Sequence, residues 1–183
     1  MRAFVGIKPQ DILLLLKLIA SPGLSQNSLS LELEISQAEI SHGLKRLKAS
    51  ALLNAEGQPH IESCLEFLVH GLRYVFPPQF GTPSIGIPTA FAHPEFKYVK
   101  YDKNQIYIWP YAEGKIRGIA LLPIYDTFPQ ACLRDEKLYK IASLIEMLRA
   151  GKSREKTIAF HELESILSDR SEKKLNGKKR HSP

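Results

Sequence analysis

Residues 26–53 read QNSLSLELEISQAEISHGLKRLKASALL, and this stretch decides how the rest of the chain is interpreted. Ser25 is placed to cap a first short helix over residues 26–33. Leu29 and Leu33 lie four residues apart and share one face of that helix. A tight turn follows at once, so the stretch predicts two short helices joined by a turn.

The second helix of the pair has the stronger local signals. Ser36 and Glu39 stand three residues apart, which is the spacing of a capping box, and the helix is predicted to run to about Ser50. One narrow apolar stripe should face the core. Its members are Ile40, Leu44 and Leu47.

The opposite face of this helix is small, polar or basic, and no acidic residue interrupts it after Glu39. Small residues let a backbone approach a DNA groove, Gln, Ser and His address base edges, and Lys addresses phosphates. An ordinary solvated helix face is the alternative interpretation. The candidate DNA-binding residues are Gln37, Ala38, Ser41, His42, Lys45 and Lys48.

Residues 25–54 resemble the winged helix-turn-helix of bacterial transcriptional regulators, close to the MarR type. The similarity is carried by a Leu-rich helix followed by a recognition-helix pattern of Ser36, Ile40, Ser41, Leu44 and Leu47. The resemblance implies a short strand at residues 51–54 and a wing at residues 55–60. That wing carries no Lys or Arg.

Two further helices are predicted to complete an N-terminal domain over residues 1–75. Residues 9–20 form a helix that is apolar around most of its circumference, which predicts burial on more than one side. Pro9 suits its first turn and Asp11 favours its positive end. A further amphipathic helix covers residues 62–75.

Residues 76–170 are predicted to form an α+β region that binds a partner or forms a dimer. Residues 76–94 hold five prolines, which disfavour a central strand, and are interpreted as an ordered strap. A β-hairpin is expected from residues 104–110 and 118–122. Helices are expected over residues 130–150 and 153–168, which either pair two copies of the chain or close the core.

The net charge of +6 is unevenly distributed. Residues 1–76 hold seven Lys/Arg and seven Asp/Glu, whereas residues 171–183 hold five basic residues and one acidic residue. The basic end is predicted to be a disordered tail that could attract phosphates or only aid solubility. Bulk charge alone is therefore weak support for nucleic-acid binding.

The sequence predicts neither an enzyme nor a metal or cofactor site. The six histidines are scattered, Cys64 and Cys132 lie far apart, and neither a P-loop nor a GxSxG or HExxH motif occurs. The apolar run 12–16 is too short to span a membrane, and the first residues do not resemble a signal peptide. A cytoplasmic location without membrane contact is expected.

The sequence thus predicts an α+β protein that binds specific double-stranded DNA, as a repressor acting as a homodimer. Gln37, Ser41 and His42 would read bases, and Lys45 and Lys48 would hold phosphates. The first alternative is an antitoxin-like or defence-associated module that neutralises a protein partner. The second is RNA binding through the Tyr/Lys segment 97–111.

Overall fold

A computed structural model of the chain describes residues 6–99 and 105–179, with the side chains of residues 169–179 outside the described part. Within these ranges the fold is α+β, as predicted: it comprises seven helices and a small mixed sheet of three strands. The helices are α1 (Pro9–Ala20), α2 (Gln26–Leu33), α3 (Gln37–Ala49), α4 (Ile61–Glu66, a π-helical turn Phe67–Gly71, and Leu72–Val75), α5 (Phe128–Leu133), α6 (Glu136–Ala150) and α7 (Ser153–Lys179). The strands are β1 (Phe80–Pro88), β2 (Tyr107–Pro110) and β3 (Ile116–Leu121), and a 3-10 turn spans Ala90–Ala92.

Helix α1 lies at the centre of the molecule. Every residue from Asp11 to Ala20 is buried, because α3 covers one side of the helix and α6 covers another. This confirms the prediction that so apolar a helix is covered on more than one side. One continuous hydrophobic cluster includes residues from both predicted domains, for example Leu29 and Leu47 together with Trp109 and Leu144.

The predicted helix over residues 130–150 is two helices. Asp135 interrupts it: Oδ1 of its carboxylate accepts hydrogen bonds from the backbone N–H groups of Lys137 and Leu138, each at 3.0 Å, and so starts α6 anew. A side-chain cap of this kind satisfies N–H groups that have no partner within the helix. Helix α6 is buried from Ile141 to Arg149, so it closes the core of its own chain.

The prediction of a hairpin between residues 104–110 and 118–122 is wrong. Strands β2 and β3 form, but they pair with each other in parallel, with Tyr107 opposite Ile119 and Ile108 opposite Ala120. Both strands pair antiparallel with β1, and the three close into a small barrel. Residues 111–115 therefore carry the chain around the barrel and do not reverse it.

Two glycines permit this winding. A Cβ atom added at Gly86 would lie 1.9 Å from the carbonyl oxygen of Trp109, and one at Gly118 would lie 2.4 Å from that of Ile106. Both distances are far inside van der Waals contact, so only glycine lets the backbones meet here.

The proline-rich segment is also more regular than the strap that the sequence predicts. Residues 80–88 of it form β1, the strand that pairs with both others. The prolines are accommodated because Pro88 ends the strand and Pro83 adjoins a shift in register.

A buried polar cluster of Trp109, Glu146 and Arg149 holds residues 76–77, which precede β1. The indole Nε1 of Trp109 donates to Glu146 at 3.1 Å, and Arg149 donates to the same carboxylate at 2.6 Å. Arg149 also donates to the carbonyl oxygens of Phe76 and Pro77. Burial raises the pKa of Glu146, and the hydrogen bonds from Trp109 and Arg149 oppose that shift.

Helix α7 extends to Lys179, so its backbone is helical through most of the segment that the sequence predicts to be disordered from residue 171. That segment contains no proline before residue 183 and is rich in Lys, which is a good helix former. Among the described residues, none of the helices has the length and apolar character that a membrane crossing requires.

Candidate nucleic-acid interface

Helices α2 and α3 each begin at a serine whose hydroxyl caps them. The Oγ of Ser25 accepts from the Ser28 backbone N–H at 3.1 Å, and that of Ser36 accepts from the Glu39 N–H at 3.3 Å. The turn between the helices starts at Glu34, which has a positive φ of 56°. The hydroxyl of Ser30 donates to the Ile35 carbonyl at 2.6 Å and holds the turn against α2.

The inner face of α3 is fastened to α1 by a buried ion pair. The guanidinium of Arg46 donates to both carboxylate oxygens of Asp11, at 2.7 and 2.6 Å. Asp11 is 0% exposed and Arg46 is 7% exposed, and the hydrogen bond to Asp11 raises the pKa of Arg46 above its usual value. Two parallel N–H···O bonds fix orientation as well as distance, so this pair sets how α3 lies on α1.

Gly43 makes this close approach of the two helices possible. A Cβ atom at this position would lie 2.9 Å from Oδ1 of Asp11 and 2.9 Å from Cδ2 of Leu14. The sequence therefore places a glycine where α3 crosses α1.

Glu39, the one acidic residue of α3, is half-buried, and Oε1 of its carboxylate is engaged on the inner side of the helix. Its carboxylate accepts from Arg46 at 2.5 Å and from the Gln10 amide at 3.0 Å, and Lys8 lies 3.9 Å away. The hydrogen bond from Arg46 lowers the pKa of Glu39 despite partial burial. The negative charge of α3 is thus neutralised on its inner side.

The outer face of α3 carries most of the sequence-predicted residues into solvent. Gln37, Ala38, His42, Lys45 and Lys48 are exposed, and Ser41 is half-buried. Gln37 donates to the Asn27 side chain of α2 at 2.8 Å. Nδ1 of His42 lies 3.9 Å from Glu39.

Lys48 differs from the prediction in what it contacts. Its Nζ donates to the carbonyl oxygen of Ala55 at 2.8 Å, so it ties the end of α3 to the following turn. Lys45 is also exposed and makes no such contact within the described residues.

A minimal β ribbon follows α3. Leu53 and Pro59 form a single antiparallel bridge, flanked by hydrogen bonds from Asn54 N to Gln58 O and from His60 N to Leu52 O, each 2.9 Å. Gly57 takes a positive φ of 80° at the tip. The ribbon lies where the sequence predicts a short strand and a turn.

Sequence reasoning missed the inner anchor of the site. It assigned Asp11 only to the helix dipole and did not single out Arg46. The available signal was that Arg46 is a charged residue on the buried side of α3, since it lies three residues after Gly43 and next to Leu47.

The alternative nucleic-acid segment is residues 97–111, of which the structure describes residues 97–99 and 105–111. Tyr107 is half-buried between the rings of Phe80 and Phe91, at centroid distances of 5.2 and 4.8 Å. Tyr98 is 51% exposed, and residues 100–104 lie outside the described part. No group of three or more His, Cys, Asp or Glu residues suited to a metal occurs among the residues described.

No protein-family model, curated protein or solved structure matches this chain. We therefore infer a function from the geometry of α2, α3 and the ribbon.

Proposed function

We propose that the chain binds specific double-stranded DNA through the outer face of α3, as a winged helix-turn-helix regulator of the kind that its sequence resembles. The observation that carries the proposal is that the Glu39 carboxylate, the one acidic group of α3, accepts hydrogen bonds from Arg46 and Gln10. With Oε1 of that carboxylate engaged, the fully exposed residues that the outer face presents to a polyanion are neutral or basic.

The fastening of α3 supports the same proposal. A recognition helix must hold its side chains in a fixed frame, because direct readout depends on bidentate geometry at base edges. Here the Arg46–Asp11 pair, the close crossing at Gly43 and two capped helix starts determine that frame.

We propose different roles for the two lysines of the outer face. Lys45 is the best-placed phosphate ligand, whereas Lys48 stabilises the ribbon through Ala55. Ala38 lets the start of α3 approach a groove, and Gln37 and His42 reach base edges. Gln37 must first exchange its hydrogen bond with Asn27.

A homodimeric repressor is part of the proposal. One copy of α3 supplies one set of base contacts, and two copies read two half-sites separated by about one helical turn of DNA. The neutral charge of residues 1–76 makes a second copy useful, because a single domain brings few phosphate contacts.

The test is a salt-dependent binding titration with duplex DNA taken from upstream of the chain's own gene. Lys45→Ala should weaken binding to all duplexes and lower the salt slope by about one contact. Gln37→Ala or His42→Ala should narrow the gap between specific and random DNA by about 1–3 kcal/mol. Lys137→Ala removes an exposed cation from α6 and serves as the matched control.

The proposal is wrong if the double variant Ser41→Ala/Lys45→Ala binds duplex DNA as the wild type does. The stoichiometry of the same titration gives the number of chains per site. A single chain per operator would refute the homodimer while leaving the α3 assignment standing.

A further inference from the structure

A cleft lies where the end of α1, helix α2 and the junction of α5 and α6 meet, and we call it the α2–α6 cleft. It has a volume of about 490 Å³, which falls within the range of about 300–1,000 Å³ that is usual for small-ligand sites. Charged side chains supply most of its lining, in equal numbers of the two signs. The cations are Lys17, Arg134 and Lys137, and the anions are Glu32, Asp135 and Glu136.

The innermost part of the cleft is a buried ion triad. Nζ of Lys17 lies 2.6 Å from Oε2 of Glu32 and donates to Oδ2 of Asp135 at 2.6 Å. The hydroxyl of Ser21 donates to the same Asp135 oxygen at 2.8 Å. The Lys17 side chain is only 3% exposed. Burial alone would lower the pKa of Lys17, but its hydrogen bonds to the two carboxylates raise that pKa above its usual value, so the ammonium stays charged.

The triad leaves one carboxylate oxygen available in the cleft. Asp135 uses both of its oxygens, because Oδ1 caps α6 while Oδ2 accepts from Lys17 and Ser21. Oε1 of Glu32, in contrast, has no hydrogen-bond or ion-pair partner within the described part of the chain, and the Glu32 side chain is 41% exposed. Since one ammonium faces two carboxylates, the triad has a net negative charge, and Glu32 can accept from a cationic group that enters the cleft.

The mouth of the cleft offers the opposite charge. The guanidinium of Arg134 is exposed and donates to Glu34 through Nη2. A guanidinium has five N–H donors, so the remaining ones can hold a carboxylate. Half-buried Leu24 adds an apolar contact to the lining.

The balance of charge in the lining indicates a ligand that carries both signs. A ligand with only a carboxylate would meet three acidic side chains, and a ligand with only an ammonium would meet three basic ones. A zwitterion can turn each of its charges toward an opposite charge. We propose that the α2–α6 cleft binds a small aliphatic α-amino acid, with its ammonium on Glu32, its carboxylate on Arg134 and its side chain against Leu24. Binding here does not require that α3 contact DNA.

Isothermal titration calorimetry of the full chain with glycine, L-alanine and L-leucine tests this site. We expect leucine to bind most tightly, because its side chain reaches Leu24. Isocaproate has the skeleton of leucine without the ammonium, and isoamylamine lacks the carboxylate. Each should bind at least about tenfold more weakly than leucine, because each loses one charge-assisted contact.

Variants at the two charged contacts locate the ligand. Glu32→Gln should weaken leucine binding about tenfold, and Glu32→Asp, which keeps the charge, should restore part of it. Arg134→Gln should weaken binding by a similar factor. Glu34→Gln is the matched control, because it removes the partner of Arg134 and leaves the cleft lining intact. It should bind leucine at least as tightly as the wild type. Thermal melting followed by circular dichroism checks that each variant is folded.

The inference is overturned if none of the three amino acids binds at concentrations up to about 10 mM, or if Glu32→Gln and Arg134→Gln leave leucine binding unchanged. Isocaproate or isoamylamine binding as tightly as leucine would contradict the need for both charges. A loss in Glu34→Gln equal to that in Arg134→Gln would show that the Arg134–Glu34 pair supports the fold and that Arg134 does not contact the ligand.

Discussion

Replacement of Arg46 by Met gives the sharpest test of how α3 is held. The substitution keeps most of the side-chain volume but leaves the carboxylate of Asp11, which is 0% exposed, without its two hydrogen bonds of 2.7 and 2.6 Å. Breaking a buried ion pair by removing one partner costs about 3–5 kcal/mol, because a charge stays buried without compensation.

The lower half of that range applies here. The Asp11 carboxylate keeps its hydrogen bond from the Lys8 backbone N–H at 2.8 Å, and Glu39, at 26% side-chain exposure, keeps Gln10. We therefore expect a loss of about 3 kcal/mol in the free energy of unfolding, which corresponds to a fall in Tm on the order of 10 °C for a chain of this size.

Urea unfolding followed by circular dichroism measures this loss. Lys45→Met is the matched control, since it removes a neighbouring but exposed cation from the same helix and should change stability by less than about 0.5 kcal/mol. Adding Asp11→Asn to Arg46→Met removes the buried charge and should restore part of the stability. A loss under about 1 kcal/mol in Arg46→Met, or no recovery in the double variant, would show that the buried pair does not hold α3 on α1.

Three further predictions concern the barrel, the core and the ribbon. Gly86→Ala should cost at least about 3 kcal/mol in urea unfolding because its Cβ would meet the Trp109 carbonyl at 1.9 Å, whereas Gly81→Ala, with 3.3 Å to the nearest atom, should cost less than about 1 kcal/mol. Burial lowers the pKa of His93 from 6.5 to about 4, so the unfolded chain binds a proton first as the pH falls. The contribution of neutral His93 to the free energy of unfolding should therefore be present above pH 6.5 and decline by about 2 kcal/mol between pH 7 and pH 5. Urea unfolding measures this decline, and His93→Phe should abolish it. Lys48→Ala should speed amide hydrogen exchange in residues 54–58 and leave the salt slope of DNA binding nearly unchanged. Unchanged exchange with a lower salt slope would instead make Lys48 a phosphate ligand.

The helices could be predicted from sequence because their signals are local. Periodicity, capping serines and Pro9 indicated α1, α2 and α3 to within a residue or two. The break at Asp135 was missed because apolar residues continue at helical spacing on both sides of it.

The sheet could not be predicted in the same way. Alternation indicated the strands β2 and β3, but their parallel pairing depends on backbone contacts at Gly86 and Gly118 that involve distant parts of the chain. A short connection between two strands normally predicts a hairpin, and only the assembled barrel shows otherwise.

The helical pattern predicted which residues of the candidate site are exposed. It did not predict the residues that hold α3 in place. Gln37, His42 and Lys45 face solvent as predicted. The partners Asp11 and Arg46 are 35 residues apart in sequence, and the Lys48–Ala55 contact depends on the fold of the ribbon. Charge pairs of this kind become visible only when the helices are packed.

The position of α3 on DNA can be measured directly by affinity cleavage. Cys64 and Cys132 are buried, so a new exposed cysteine can carry an iron chelate selectively. We predict that the chelate at Ala38→Cys cuts operator DNA in one cluster per half-site, while the chelate at Ala112→Cys, in an exposed loop of the barrel, does not. Weak, dispersed cutting from Ala38→Cys, no stronger than that from Ala112→Cys, would contradict the claim that α3 contacts DNA.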